Sequence, residues 1–209
     1  MKWKVCGLRH PENIDDILAL EPDYVGFIFY VKSARYVGST LDPAYAKMLD
    51  GVEKVGVFVN EEADAIDDAI DRFGLTMVQL HGKESPELCE EVKQMGVKVI
   101  KVFSIQNNEI DFDVLEEYET CTDYFLFDTK IKGKLGGTGQ AFDWSILEEY
   151  PSNKPFFLSG GLSLLNIEEA LKQRFPQLMA IDVNSKFEDR PGLKNLDKLT
   201  QLKEILDEG

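Results

Sequence analysis

Eight short apolar segments recur along the chain at intervals of roughly 20 to 30 residues, and this spacing constrains the fold more than any other feature. Most of the segments are near-continuous hydrophobic runs rather than strict alternations of apolar and polar residues. Runs of this kind are typical of parallel strands that are buried on both faces. The predicted strands cover residues 3–6, 24–30, 54–60, 77–81, 97–104, 124–129, 155–161 and 178–185.

Segments with helical periodicity lie between the predicted strands. PENIDDILALE places its isoleucines and leucines on one side of a helix, EEADAIDDAIDRFG ends on glycine, and SPELCEEVKQMG begins with Ser-Pro and also ends on glycine. These are the residues expected at helix starts and stops. Strand and helix alternating eight times imply right-handed βαβ units and a parallel sheet.

Eight such units in 209 residues predict an α/β protein with one domain, a single (β/α)8 TIM barrel over residues 1–209. An open doubly wound sheet is the competing fold, and periodicity alone does not exclude it. In both folds ligands bind at the carboxyl ends of the strands, so the informative residues are the polar and reactive ones that end each strand.

Charge and composition limit the partners and the location. The formal net charge of −15 argues against nucleic acid and anionic membrane as partners, although it leaves room for a small anionic substrate. No apolar run approaches the roughly 20 residues needed to cross a bilayer, and the first residues lack a secretory pattern. Three cysteines without a CxxC pair favour neither a disulfide framework nor a zinc site. We therefore expect a cytoplasmic protein.

Cys6 and Asp128 are the candidate reactive residues. Cys6 is the last residue of the first predicted strand and precedes Gly7, so it is either a small inert core residue or, if its pKa is lowered, a nucleophile or base. Asp128 follows four apolar residues in YFLFD. It either caps the next loop or acts as a general acid whose pKa is raised by apolar surroundings.

The ends of strands 7 and 8 predict a phosphate site. Strand 7 ends in Ser-Gly-Gly, with Gly160 and Gly161 able to let backbone approach a ligand, and strand 8 leads into Asn184 and Ser185. TIM barrels often bind phosphate between these two loops. A tight strand-to-helix turn is the alternative interpretation of SGGL.

Three further features lie at predicted strand ends. Arg35 offers a bidentate donor suited to a carboxylate, or forms a surface ion pair. His81 either contacts a ligand or caps its loop. The glycine-rich loop TKIKGKLGGTGQAFDW (129–144) folds over a ligand as a lid or forms a solvated turn. No cluster of His, Asp and Glu in the sequence suggests a metal.

Eight motifs occur in order over about 190 residues. They are KVCG, GFIFYVKSARYV, VGVFVN, VQLHGKESPELC, FLFDT, GGTGQAFDW, FLSGGL and IDVNSKFEDRPGLKN. The ordered set resembles the phosphoribosylanthranilate isomerase family of tryptophan biosynthesis. The chain departs from the family pattern in two motifs: Leu8-Arg9 follows the CG motif where an apolar residue and threonine are usual, and Asn184-Ser185-Lys186 stands after strand 8 where two serines and a glycine are usual.

The resemblance implies a TIM barrel that catalyses an Amadori rearrangement without cofactor or metal. N-(5-phosphoribosyl)anthranilate becomes 1-(2-carboxyphenylamino)-1-deoxyribulose 5-phosphate. Asp128 is then the general acid that protonates the furanose oxygen, and Cys6 is the general base that removes the proton from C2 of the ribose.

The resemblance also assigns substrate-binding residues. Arg35 would hold the anthranilate carboxylate and Asp182 would lie beside the ribose hydroxyls. His81 matches the QLHG motif without a defined role. The backbone around four residues of the last two loops would hold the phosphate: Gly160, Gly161, Asn184 and Ser185.

Other functions have sequence signatures of their own. The histidine-pathway Amadori isomerase typically carries an aspartate at the end of strand 1, where this chain has Cys6. Indole-glycerol-phosphate synthase uses lysine and glutamate at strand ends, which we do not find in place. A non-catalytic phosphate-binding barrel would need an inert Cys6. The oligomeric state, monomer or homodimer, stays open.

Overall fold

Eight parallel strands pair in chain order and close into a barrel, with β1 hydrogen-bonded to both β2 and β8. The computed structural model describes residues 1–38, 40–106, 109–130 and 144–208. The predicted (β/α)8 fold is confirmed and the open sheet is excluded. The strands are β1 Lys2–Cys6, β2 Tyr24–Ile28, β3 Glu53–Phe58, β4 Met77–Leu80, β5 Lys98–Gln106, β6 Tyr124–Lys130, β7 Phe156–Ser159 and β8 Leu178–Val183.

Two expectations fall on residues that the structure does not fully describe. Positions 131–143 of the predicted lid loop lie outside the described residues, so the role of that loop stays a prediction. The assignment of all residues 1–209 to a single domain stays a prediction as well.

Six α-helices lie in the described residues, and their ends follow the sequence signals. Asp42 and Ser85 cap helices by accepting hydrogen bonds from Ala44 N and Leu88 N, and Gly74 ends a helix in the left-handed conformation at φ 62°. None of the described helices is long and apolar enough to cross a membrane. The helices are α1 Pro11–Leu18, α2 Pro43–Met48, α3 Ala63–Phe73, α4 Pro86–Gln94, α5 Ile167–Lys172 and α6 Leu196–Glu208.

The prediction that an α-helix follows every strand is wrong for the described parts of the connections after β5 and β6. The described parts of these connections contain 3₁₀-helices, Asp113–Tyr118 and Trp144–Glu149. Thr122 Oγ1 donates to the Tyr118 carbonyl at 2.7 Å, which satisfies that backbone group at the end of the first 3₁₀-helix. Such side-chain bonds compete with continued helical pairing.

A short hairpin that the sequence did not predict follows β8. Its strands are β9 Glu188–Arg190 and β10 Leu193–Lys194, and Gly192 turns between them at φ 84°. This hairpin brings the side chains of Glu188 and Lys194 to the residues that follow β2 and β8. The hairpin therefore contributes to the mouth of the barrel.

The apolar core has two layers, inside the barrel and between strands and helices. The outer layer joins residues such as Val5 and Phe27 of the strands to Ile14 and Ile66 of the helices. The inner cluster takes its members from seven of the eight strands, and a closed barrel of this size fills its interior with side chains. Its buried members are Tyr24, Val55, Met77, Ile100, Val102, Leu126, Phe157 and Ala180.

Truncation inside the barrel should be costly. Leu126 is 1% exposed, so Leu126→Ala removes contacts and leaves a cavity that the closed ring cannot collapse to fill. We expect the free energy of unfolding, measured by urea denaturation, to fall by about 2–5 kcal/mol. Leu165, which is 98% exposed, is the matched control, and Leu165→Ala should change it by less than about 0.5 kcal/mol. Equal losses in the two variants would contradict this account of the core.

Candidate active site

The inward-facing side chains change from apolar to polar toward the carboxyl ends of the strands. Alternate residues of a strand share one face, so Asp128 lies above Leu126 and Asp182 lies above Ala180. The same step takes β7 from Phe157 to Ser159. The apolar interior thus ends beneath a layer of polar groups.

These polar groups line a cavity of about 370 Å³, within the size range of ligand sites. The cavity brings together every residue that the sequence analysis assigned to the site. They are Cys6, Arg35, His81, Asp128, Gly160, Gly161, Asp182, Asn184 and Ser185. The remaining lining residues are Ile28, Val57, Gln79, Ser159 and Leu162.

Cys6 fits because two glycines leave room around it. Gly26 pairs with Cys6 on the adjacent strand, and a Cβ at Gly26 would lie 2.8 Å from Cys6 Sγ. Gly7 has φ 77°, and a Cβ there would meet Arg35 Cδ at 2.8 Å and Asn184 Oδ1 at 2.9 Å. The glycine after Cys6 therefore lets two other cavity residues approach the thiol.

Burial raises the pKa of the Cys6 thiol above its ordinary value, and Lys4 opposes this shift without reversing it. A lowered pKa, the condition that the sequence analysis attached to a reactive Cys6, is therefore not met. The physical reason is that the thiol lies at the base of the cavity with 4% exposure, where a new negative charge loses its hydration.

Lys4, which the sequence analysis missed, does not line the cavity but contacts two residues that do, Gln79 and Asp182. It is fully buried, and its Nζ donates to Asp182 Oδ2 and to Gln79 Oε1, both at 2.9 Å. Burial alone would lower the pKa of Lys4, but Asp182 and Cys6 raise it above its ordinary value. The available signal was spacing, because Lys4 precedes Cys6 by two residues and so shares its face.

The two carboxylate oxygens of Asp182 differ, because only Oδ2 accepts a hydrogen bond from a described residue. Lys4 holds Oδ2, whereas Oδ1 is buried beside the cavity and has no hydrogen-bond partner among the residues that the structure describes. Burial raises the pKa of this carboxyl, with Lys4 opposing the shift. A buried acceptor without a partner is uncommon, and a ligand hydroxyl can supply the missing donor.

Asp128 lies across the ring from Cys6, separated by β7 and β8 on the shorter side of the barrel. It is 8% exposed, and its Oδ2 lies 3.2 Å from His81 Nε2. His81 itself immediately follows β4, one residue beyond the end of that strand. The imidazole fixes the direction of one Asp128 oxygen, so His81 contacts a neighbouring site residue as well as lining the cavity.

Arg35 lines the cavity and is also ion-paired, which combines the two alternatives from the sequence. Its Nε lies 2.9 Å from Glu188 Oε1, and its Nη2 lies 2.6 Å from Glu188 Oε2. Lys194 Nζ donates to the same Glu188 at 2.6 Å and to Asn184 Oδ1 at 2.7 Å. The sequence analysis missed Glu188 and Lys194 because only the β9–β10 hairpin brings them to Arg35.

The loops after β7 and β8 face the cavity together. Gly160 and Gly161 adopt φ 92° and 66°, values that favour glycine. Among the described residues, no atom beyond its chain neighbours lies within 4 Å of a Cβ built on Gly161. Ser159 Oγ donates to the Asp182 carbonyl at 3.2 Å, which ties the two strand ends together. Close backbone approach and open space are what an anion needs at this position.

Of the departures from the family pattern, Asn184 lines the cavity, whereas Arg9 and Lys186 lie away from it. Arg9 donates to Ala34 O at 3.2 Å and to Thr40 Oγ1 at 2.7 Å, so it braces the segment after β2. Lys186 is exposed and follows the cavity residue Ser185. Neither side chain lines the cavity.

A closed barrel with a carboxyl, a thiol and glycines around a cavity at the carboxyl ends of its strands is typical of TIM-barrel enzymes. Comparison with known proteins is more specific. The sequence model described as N-(5'phosphoribosyl)anthranilate (PRA) isomerase matches residues 3–204. The chain belongs to this family, and it is an isomerase of the aldose–ketose type.

Relatives and solved structures agree with this family. A phosphoribosylanthranilate isomerase of Parabacteroides distasonis is 44% identical over 94% of this chain and 89% of its own length. The enzyme of Nostoc punctiforme is 38% identical over 99% and 98%. The crystal structure of the Thermotoga maritima enzyme matches over all of both chains with a TM-score of 0.84 and 33% identity.

Removing the carboxylate of Glu188 should destabilise the protein. Hydrogen bonds from Arg35 and Lys194 hold the pKa of Glu188 below its ordinary value although burial opposes them. Glu188→Gln leaves the buried Lys194 ammonium without its counter-ion, so we expect a loss of about 3 kcal/mol in the free energy of unfolding at pH 7. Urea denaturation measures this loss.

The loss should depend on pH in a defined direction. The pKa of Glu188 in the folded protein lies below its value in the unfolded chain, which is near 4.3. Its contribution to stability is therefore complete above the unfolded-state pKa and is lost as the pH falls through the folded-state pKa. The wild-type protein and the Glu188→Gln variant should therefore converge in stability in acid. Asp189 is next in sequence and exposed, so Asp189→Asn should leave the free energy of unfolding unchanged both at pH 7 and in acid. A pH-independent difference for Glu188→Gln would contradict the assignment.

Proposed function

We propose that this protein converts N-(5'-phosphoribosyl)anthranilate to 1-(2-carboxyphenylamino)-1-deoxyribulose 5-phosphate. One observation carries the proposal: Cys6 and Asp128 line the same cavity from strands β1 and β6. Family membership supports it, as does a phosphoribosylanthranilate isomerase structure in complex with reduced 1-(o-carboxyphenylamino)-1-deoxyribulose 5-phosphate. That structure is 31% identical to this chain over all of both chains, with a TM-score of 0.82.

The first step needs an acid. Asp128, in its protonated form, donates to the furanose ring oxygen while the bond between that oxygen and C1 breaks. The anilino nitrogen supplies the electron pair and becomes an iminium. The contact of Asp128 with His81 Nε2 at 3.2 Å supports this role, because it orients the carboxyl that must reach the ring oxygen.

The second step needs a base. Cys6, as thiolate, removes the proton from C2, the electron pair of the C–H bond moves toward C1, and an enolamine forms. The enolamine then tautomerises to the ketone, which completes the rearrangement without a change in atom count. The raised pKa of Cys6 means that fewer molecules carry the thiolate, but each thiolate is a stronger base.

Groups at the rim suit the two anionic ends of the substrate. Arg35 would bind the anthranilate carboxylate with the guanidinium edge that Glu188 does not occupy. The backbone at Gly160, Gly161, Asn184 and Ser185 would bind the phosphate. Asp182 Oδ1, buried without a partner, would accept a hydrogen bond from a ribose hydroxyl.

Location and assembly are part of the proposal. We propose a cytoplasmic enzyme that uses neither metal nor cofactor and that binds a small phosphorylated substrate, not nucleic acid or membrane. A structure from Thermotoga maritima is described as monomers of a dimeric phosphoribosylanthranilate isomerase. Monomer and homodimer are the two states proposed here, and sedimentation velocity distinguishes them.

Loss of either reactive group should remove most of the activity. Cys6→Ala takes away the base and Asp128→Asn takes away the acid, and each should lower kcat by about 10²-fold or more. The measurement is the rate of product formation from N-(5'-phosphoribosyl)anthranilate, followed by liquid chromatography in the presence of a chelator.

Cys121→Ser is the matched control. Cys121 is another buried cysteine, its thiol lies 3.6 Å from the Tyr118 carbonyl, and it does not line the cavity, so a hydroxyl there should leave kcat unchanged. Wild-type turnover in Cys6→Ala or in Asp128→Asn would rule out the mechanism. Turnover of a histidine-pathway substrate in place of this one would rule out the proposed reaction.

A further inference from the structure

Lys4 places a full positive charge inside the barrel, two residues before Cys6 on the same face of β1. Its side chain has no exposed surface, and its Nζ is held at 2.9 Å from both Asp182 Oδ2 and Gln79 Oε1. These two partners come from β8 and β4, so the ammonium is fixed from two sides of the ring directly below the thiol.

Packing does not account for a charged pair at this depth. The layer beneath it is filled by apolar residues such as Phe157 and Ala180. Replacing a buried ion pair by apolar residues of similar volume is often neutral or stabilising. The pair also leaves Asp182 Oδ1 without a hydrogen-bond partner, an additional cost.

We propose that Lys4 is a positioning residue that favours the thiolate form of Cys6, and that Asp182 opposes it. This inference rests on the proposed function for its purpose, since the reaction needs Cys6 as a base. Lys4 does not line the cavity, so it acts on a substrate only through the thiol. It acts through the charge that it holds below the thiol, with the position of that charge fixed by Gln79 and Asp182.

Four charged groups bear on the thiol. Lys4 lies on the same strand, Asp182 on β8, Lys194 on β10, and Arg35 after β2. Arg35 and Lys194 share the carboxylate of Glu188, which offsets part of their charge. Lys4 has the largest favourable influence on the thiolate, and it exceeds the unfavourable influence of Asp182.

Two variants separate an electrostatic role from a structural one. Lys4→Met and Asp182→Asn each break the same ion pair, so a merely structural role predicts similar effects. An electrostatic role predicts opposite effects on the thiol, because one variant removes the cation and the other removes the anion. Lys2→Met is the matched control, since it removes a lysine from the same strand at the opposite end of the barrel.

The readout is the rate of alkylation of Cys6 by iodoacetamide between pH 7 and 10.5, with the modified residue identified by peptide mass spectrometry. Only the thiolate reacts, so the rate at a fixed pH below the pKa follows the thiolate fraction. We expect Lys4→Met to be alkylated about tenfold or more slowly than wild type at pH 8, and Asp182→Asn to be alkylated faster. Lys2→Met should match the wild type.

In the Lys4→Met variant, proton uptake by Asp182 should not abolish the slower alkylation of Cys6. Burial already raises the pKa of this carboxyl, so without Lys4 it takes up a proton more readily. The thiol then loses both neighbours, and its alkylation still slows because the influence of Lys4 is the larger one. The double variant Lys4→Met with Asp182→Asn should therefore also react more slowly than wild type.

Each other outcome overturns the proposal. Shifts of the same sign in the two single variants would show a structural role for the pair, and so would a Lys4→Met rate equal to that of Lys2→Met. If Lys4→Met does not fold, as judged by circular dichroism, the double variant replaces it because it buries no unpaired charge. Failure of the double variant to fold would assign Lys4 to structure alone.

The thiol titration needs no substrate, so it is independent of the proposed reaction. Opposite shifts in a protein that does not convert N-(5'-phosphoribosyl)anthranilate would leave the inference standing and remove the proposed function. Full isomerase activity together with shifts of the same sign would leave the proposed function standing and overturn the inference about Lys4.

Discussion

The parallel pairing of β1 with β8 is the constraint on which the rest of the structure depends. It closes the barrel and sets Lys4 opposite Asp182 in register, which gives the buried ammonium its carboxylate. With that pair in place, the next inward-facing position of β1 is Cys6, and Asn184, which directly follows β8, lines the same cavity. Closure of the ring thus fixes the floor of the cavity and two of its walls at once.

A second network holds the rim. Arg35, Glu188 and Lys194 form a chain of ion pairs in which two cations share one anion, so the group carries a net positive charge. That charge lies at a cavity in a chain whose formal net charge is −15. An anion at this rim would therefore meet a net positive group although the molecule as a whole repels it.

Cys6 and Asp182, which belong to the proposed site, lie in surroundings that lower the stability of the folded protein. Desolvation disfavours the thiolate of Cys6, and the positive charge of Lys4 offsets part of this effect. Asp182 keeps a buried oxygen without a partner, which an all-apolar interior would avoid. Both features lie in the polar layer, whereas the layer beneath follows ordinary rules of close packing.

Much of the candidate site could be anticipated because a barrel turns sequence position into spatial position. A residue at the end of a parallel strand lies at the mouth whatever its neighbours, so Cys6, Asp128 and the loop glycines needed only correct strand boundaries. Long-range partners could not be found in this way. Glu188 is 153 residues from Arg35. Its approach depends on a hairpin whose strands, of three and two residues, are too short to show a periodic pattern.

The sequence by itself determined the class of fold, the order of the strands and the residues that end them, since hydrophobic periodicity and turn residues act locally. Tertiary structure alone decided the ionisation of those residues. The pKa of Cys6 depends on burial and on charges from β8, β10 and the segment after β2, and these meet only when the ring is closed. Electrostatic energy depends on distance in space and on exclusion of water, and neither quantity can be computed from separation along the chain.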